Sequence, residues 1–175
     1  MNEHKRILLF GAGKSATVLI DYLKKISIEF SWFVTVADSN LEAAQSKVGD
    51  HDYARAAQVN IENERERQNL IADADIVISM MPPHLHYKIA VDCIALKKHL
   101  LTASYVDEKI KQLEPDIKNN GLLFLCEMGL DPGIDHMSAM QLIDQIHAGG
   151  GSIDSFKSHC GGLVAPESDD NPWHY

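Results

Sequence analysis

The chain has 175 residues, 45% hydrophobic and 23% charged, the balance of one globular domain or of one domain with part of a second. A net charge of −9, with Lys and Arg interleaved among acids as in NERERQ and DEKIKQ, excludes a nucleic-acid surface built on clustered cations. Cys93, Cys126 and Cys160 are odd in number and lack CxxC spacing, no leader-like segment opens the chain, and no apolar run nears the roughly 18–20 residues of a membrane span; a reducing cytoplasm and no membrane are expected.

In chain order, KRILLFG (5–11) is a short apolar run closed by glycine, and Leu19, Tyr22, Leu23 and Ile26 follow at helical spacing. FVTVAD (33–38) reads as a β-branched strand and LEAAQSKVG as a helix stopped by Gly49. AQVNI (57–61) is a weaker strand and NERERQNLIAD a polar helix. DIVISMM (75–81) is a buried strand ended by Pro82 and Pro83, and a helix through Ile89, Cys93 and Leu96 leads to the strand HLLTAS (99–104). DEKIKQLEPDIKNNG is helical with a break or kink at Pro115, and LLFLCE (122–127) is a sixth strand. The alternation predicts an α/β fold, a doubly wound parallel sheet of about six strands buried on both faces. After a helix from about Asp135 to His147, AGGG breaks the rhythm and SIDSFKSHC alternates like a half-buried strand. A second, α+β domain is therefore expected to begin near residue 137 and to be only partly present.

GAGKSA, after the first strand, contains the GKS of a phosphate-binding P-loop, but the glycine such a loop needs five residues before Gly13 is Leu8. It fits instead the dinucleotide turn of a Rossmann-type sheet. Gly11 permits the tight turn, Gly13 lets backbone approach a pyrophosphate, and Ala16 allows close helix packing. The following helix aims its N-terminal amides at the phosphates, where Ser15 can add a hydroxyl. Asp38 ends the second strand, where a carboxylate can accept from both ribose hydroxyls and repel a 2′-phosphate. No Arg follows in SNLEAA, so NAD is favoured over NADP. Met80, Met81 and Pro82 end the fourth strand, where such loops pass the cofactor; core packing is the equal alternative for the methionines. His84 and His86 lack a third ligand of matching spacing, so no metal is expected, and a surface or cofactor-edge role is assigned to them.

Three later stretches, TASYV (102–106), EMGLDPGIDHM (127–137) and SHCGGLVAPESDDNP (158–172), together with GAGKSA resemble the saccharopine dehydrogenase family, its glutamate-forming branch above all. The resemblance implies an NAD(P)-dependent oxidoreductase of lysine metabolism. Such an enzyme interconverts saccharopine with L-glutamate and 2-aminoadipate 6-semialdehyde. By the same resemblance Ser104 and Tyr105 touch cofactor and saccharopine, with Ala103 beside them, and Asp131, Pro132 and Gly133 form a turn on the nicotinamide side. Cys160 falls where the family has an active-site cysteine. Asp131 is implied at the substrate as well, and Asp135 has the chemistry of a helix N-cap.

Hydride removal from a secondary amine leaves an imine whose hydrolysis needs proton transfer, work suited to Tyr105, Asp131 or Cys160. His136 and His159 flank these motifs without an assigned task. Saccharopine carries three carboxylates, yet the late segment offers only Lys157 as a cation. The family's remaining substrate residues lie further along, so the 175-residue chain is expected to bind dinucleotide but turn over little saccharopine, and to expose apolar surface suited to a homodimer. Two alternatives stay open: a non-catalytic NAD-binding module, and a dehydrogenase of another amino-acid or polyamine conjugate.

Overall fold

The computed structural model describes residues 4–159. Six strands form one wholly parallel sheet: β1 (Arg6–Phe10), β2 (Phe33–Asp38), β3 (Ala54–Gln58), β4 (Ile76–Ser79), β5 (His99–Thr102) and β6 (Phe124–Leu125). Their spatial order is β3-β2-β1-β4-β5-β6. The helices are α1 (Thr17–Phe30, entered through a 3-10 turn at Lys14–Ala16), α2 (Leu41–Val48), α3 (Glu64–Ala72), α4 (Pro83–Ala95), α5 (Glu108–Gln112), α6 (Glu114–Asn119) and α7 (Ile134–Ala148).

The apolar run of β1 explains why the sheet is covered on both sides. Ile7 and Leu9 pack with Ile20 and Leu23 of α1 and Ala44 and Val48 of α2. Leu8 and Phe10 face the other way, onto Val77, Ile89, Cys93 and Leu100. Successive strand residues point to opposite faces, so a strand in mid-sheet must be apolar throughout. The chain order reverses between β1 and β4, whose last residues Phe10 and Ser79 are register partners. A crevice opens at the carboxyl ends there, the usual ligand position in such sheets.

Three features differ from the sequence reading, and one, the break at Pro115, agrees with it. β3 begins three residues earlier than AQVNI, because Ala54–Gln58 pairs with Val34–Asp38; Val59 and Ile61 fill the core beyond the strand. β6 shrinks to two residues paired with Leu100 and Leu101 at the sheet edge. The break expected at Pro115 is present as two helices, with Leu113 ending one and Pro115 in the first turn of the next, where its missing N–H costs nothing. Residues 152–159 form no strand: alternation alone is insufficient without a neighbour to pair with. The chain divides into two compact units, Met1–Met137 and Ser138–Tyr175.

Candidate functional site

The turn after β1 has its shape dictated by two contacts. The Gly11 amide donates to Ala37 O (2.8 Å), and Gly11 has φ +101 with Met80 O 3.0 Å from where a Cβ would stand. A side chain is excluded there both by conformation and by space. Ala16 is fully buried in the core, as a residue pressed against the sheet must be. Around Gly13, in contrast, nothing lies within 4 Å of a notional Cβ, and Gly13, Lys14 and Ser15 are exposed. The space a pyrophosphate would need is open and lies at a helix start, where the Ala16 and Thr17 amides turn back onto Gly13 O and Lys14 O and the positive end of the helix dipole favours an anion. The residues present therefore fit a dinucleotide.

Asp38 has a second task that the sequence did not reveal. Its Oδ2 accepts from the Ala12 amide (2.7 Å) and its Oδ1 from the Asn40 amide (2.9 Å), so it ties the glycine turn to the end of β2. Lys47, from the last turn of α2, donates to Gly13 O and to Thr17 Oγ1 (2.9 Å) and braces the loop from behind. No sequence signal marks a lysine in a surface helix for that role.

Beyond the switch point, Ser15, Ser79, Met80, Met81, Ala103, Ser104, Met128, Gly129 and Leu130 line a cleft of about 680 Å³. A second pocket of about 280 Å³ is lined by His86, Ser104, Tyr105, Cys126, Asp131 and Pro132 among others. Ala103 and Ser104 border both. Two of the three groups expected to transfer protons meet here: Tyr105 Oη donates to Asp131 Oδ1 at 2.7 Å. Pro82, exposed, begins α4 as its N-cap.

GLDPG (129–133) is a small closed loop. Gly129 N donates to Pro132 O (2.8 Å), Gly129 and Gly133 are bridged, and the Asp131–Pro132 peptide is cis. Gly133 has φ +147, and a Cβ on it would collide with the Gly129 backbone. Asp135 is the second residue of α7 rather than its N-cap, because the helix starts at Ile134. Its carboxylate reaches back to the Gly133 amide (2.9 Å) and accepts from His136 Nδ1 (2.7 Å). His159 is exposed, and Cys160 lies outside the described residues.

Of the surface or cofactor-edge role expected from sequence, His86 corrects the surface alternative. It is 4% exposed, its Nδ1 lies 2.8 Å from Ser79 Oγ, and its Nε2 lies 2.7 Å from Ser104 Oγ. Burial pushes its pKa down, against the pull of Asp107 and with help from His84. His84 is exposed. Burial also raises the Cys126 thiol, as do Glu127 and Asp107.

A glycine turn at the reversal of a doubly wound sheet, with open space where phosphates would sit, places the molecule among Rossmann-type dinucleotide-binding proteins. The chain belongs to the saccharopine dehydrogenase family: "Saccharopine dehydrogenase NADP binding domain" matches residues 7–125 and "Saccharopine dehydrogenase C-terminal domain" residues 129–175. It is 37% identical over 98% of its length to saccharopine dehydrogenase [NADP(+), L-glutamate-forming] of Saccharomyces cerevisiae, covering 37% of that protein. It is also 37% identical to the mitochondrial alpha-aminoadipic semialdehyde synthase of Bos taurus, covering 19% of it. The apo, histidine-tagged L-Glu-forming saccharopine dehydrogenase of S. cerevisiae superposes with a TM-score of 0.80 at 37% identity, over 96% of this chain and 37% of that one. The chain thus spans well under half the length of these relatives. Among the described residues no helix is long and apolar enough to cross a membrane.

Proposed function

We propose that this chain holds the nicotinamide dinucleotide, and part of the substrate side, of an oxidoreductase that interconverts saccharopine with L-glutamate and 2-aminoadipate 6-semialdehyde. The observation that carries the reading is the Tyr105–Asp131 hydrogen bond at the carboxyl edge, next to the cleft that continues from the glycine turn. Gly11, Gly13, Ser15 and Ala16 would hold the pyrophosphate and Asp38 the adenosine ribose. Ala103, Ser104, Pro132 and Gly133 would border the nicotinamide. The bound nicotinamide supplies a hydride acceptor. The chain's own residues contribute protonation: imine hydrolysis adds water at carbon and expels an amine, and each step moves a proton that Tyr105, linked to Asp131, is placed to carry. The Asp131 carboxylate also offers negative charge to a cationic iminium carbon–nitrogen pair. Cys160 is assigned to the same chemistry on the family likeness.

NAD is the cofactor proposed. Asp38 Oδ2, which accepts from the Ala12 amide, keeps a lone pair for a ribose hydroxyl, Oδ1 accepts from the Asn40 amide and at 3.4 Å from Ser39 Oγ, and the carboxylate repels a 2′-phosphate. NADP is the second reading, supported by the names of the matched family domain and of the yeast relative. Competitive titration of the full chain with NADH and NADPH decides it: at least tenfold tighter NADH binding is expected, and tighter NADPH binding reverses the assignment. Saccharopine-dependent reduction of the nicotinamide by the full-length protein tests the reaction, and its absence under saturating cofactor would defeat it. A homodimer in a reducing cytoplasm completes the proposal, supported by the exposed Met140, Leu142, Ile146 and Phe156 of the second unit.

A further inference from the structure

Three hydroxyls surround His86. Ser79 and Thr102 are register partners at the ends of β4 and β5, both buried, and Ser104 stands two residues beyond Thr102 at the rim of both cavities. The histidine comes from the first turn of α4 and bridges them, Nδ1 to Ser79 and Nε2 to Ser104. Thr102 Oγ1 is 3.4 Å from Nδ1 and 3.3 Å from Nε2, and also accepts from the Ser104 amide (3.2 Å). An atom nearly equidistant from both ring nitrogens lies on the in-plane axis of neither, so Thr102 does not decide where the ring proton sits.

Ser79 decides it. Its side chain is fully buried, and His86 Nδ1 is the partner found for its hydroxyl among the described residues. If Nδ1 carried the proton it would donate to Ser79, and the Ser79 hydrogen would be left unpaired in the interior, where a buried donor without a partner is disfavoured. The arrangement that satisfies Ser79 and both ring nitrogens has Ser79 donating to Nδ1 and Nε2–H donating to Ser104 Oγ, with Thr102 left its longer contact to Nδ1 (3.4 Å). Ser104 Oγ then already receives a proton from behind, so its own hydrogen is turned away from His86.

We propose that His86 is a positioning residue, fixed by Ser79 as the Nε2–H tautomer, which holds the Ser104 hydroxyl as a hydrogen-bond donor toward an oxygen acceptor of the ligand in the carboxyl-edge cleft. The acceptor class is a carboxylate, a carboxamide carbonyl or a ribose oxygen. The functional half of this proposal rests on the cleft being the ligand site of the dehydrogenase proposed above; the tautomer does not. A Ser104 without this backing rotates freely and offers lone pairs as readily as its proton. The relay therefore acts on ligand affinity through Ser104 and performs no chemistry itself.

The tautomer is read first, by nitrogen-15 NMR of the imidazoles in the full chain without ligand. A neutral His86 with Nε2 protonated is expected at neutral pH, with Ser79→Ala mixing the tautomers and Ser104→Ala leaving them unchanged. An Nδ1–H form, or a rapid mixture in the unaltered protein, overturns the proposal whether or not saccharopine is turned over. The second arm is a double-mutant cycle on KM for cofactor and for saccharopine. Ser104→Ala and His86→Leu are each expected to raise one of these KM values roughly tenfold, and the pair together no more than Ser104→Ala alone. His86→Gln, which keeps a donor near the Nε2 position, should recover most of the loss. Additive effects, or Gln and Leu variants that behave alike, would assign His86 a structural role only. If saccharopine is not turned over, the same cycle is read as the Kd for the reduced cofactor, where additivity or no effect again overturns the positioning role.

Discussion

Tyr105 is 61% exposed and would be unremarkable on a surface, were its hydroxyl not 2.7 Å from Asp131 Oδ1. The pair is made by two segments 26 residues apart, one leaving β5 and the other closed into a loop by Gly129 and Gly133. Tyr105→Phe removes the transferable proton but keeps the ring. In the full-length enzyme kcat is expected to fall by roughly a hundredfold, at the lower end of what a positioned acid–base group contributes. Kd for the dinucleotide, measured by calorimetry, should stay within about twofold. An unchanged kcat would remove Tyr105 from the chemistry. Gly11 is the opposite case, a residue whose importance lies in having no side chain: φ and the nearby Met80 carbonyl both forbid one.

At the scale of elements, α3 and α4 are joined by an ion pair rather than by apolar contact alone. Arg67 and Asp92, 7% and 5% exposed at their side chains, are hydrogen-bonded to each other. Arg67 also donates to Ile61 O (2.6 Å) and Gln68 to the second Asp92 oxygen (2.8 Å). A polar helix such as ERERQNLIA has little apolar surface to dock with, and the buried arginine explains how it holds its place. Arg67→Met strands Asp92 in the interior and should destabilise the protein by about 3–5 kcal/mol in urea unfolding. Arg67→Met with Asp92→Leu should recover most of that loss, because the buried charge is gone. A single variant within about 0.5 kcal/mol of the parent would show the pair to be dispensable.

For the molecule as a whole, the two shifted histidines of the first unit give stability a pH dependence of mixed sign. His86 has a lowered pKa because burial disfavours its charged form, so the unfolded chain binds that proton more readily than the native one. Its contribution is fully present above the unfolded value of about 6.5 and is lost as pH falls below it. His136 is raised by its hydrogen bond to Asp135 and its neighbouring charge. Its contribution is present below about 6.5 and fades as pH rises through the folded value. His136 is fully exposed to screening, so the buried group should dominate. The urea midpoint is expected to drop between about pH 7.5 and 5.5, and His86→Gln should flatten that slope. An equal slope in the variant would assign the loss to other groups.

The sequence by itself determined the sheet and the cofactor class. Apolar runs buried on both faces can only be central parallel strands, and the spacing of Gly11, Gly13 and Ala16 after such a strand has a local, backbone-level cause. Those readings rest on interactions within a few residues, which is why they survive without coordinates. Boundaries set by pairing did not: β3 took its register from β2, and residues 152–159 alternate without any strand to join. Only the tertiary structure decided what Asp38, Lys47 and His86 touch, because their partners lie 16 or more residues away, apart from Ser39 and Asn40, one and two residues from Asp38, and Ser79, seven residues from His86. A histidine at the start of a surface-facing helix looks solvated in one dimension. It becomes a buried link between two strand ends only when α4 folds back over β4 and β5, and burial and proton inventory are properties of that packing.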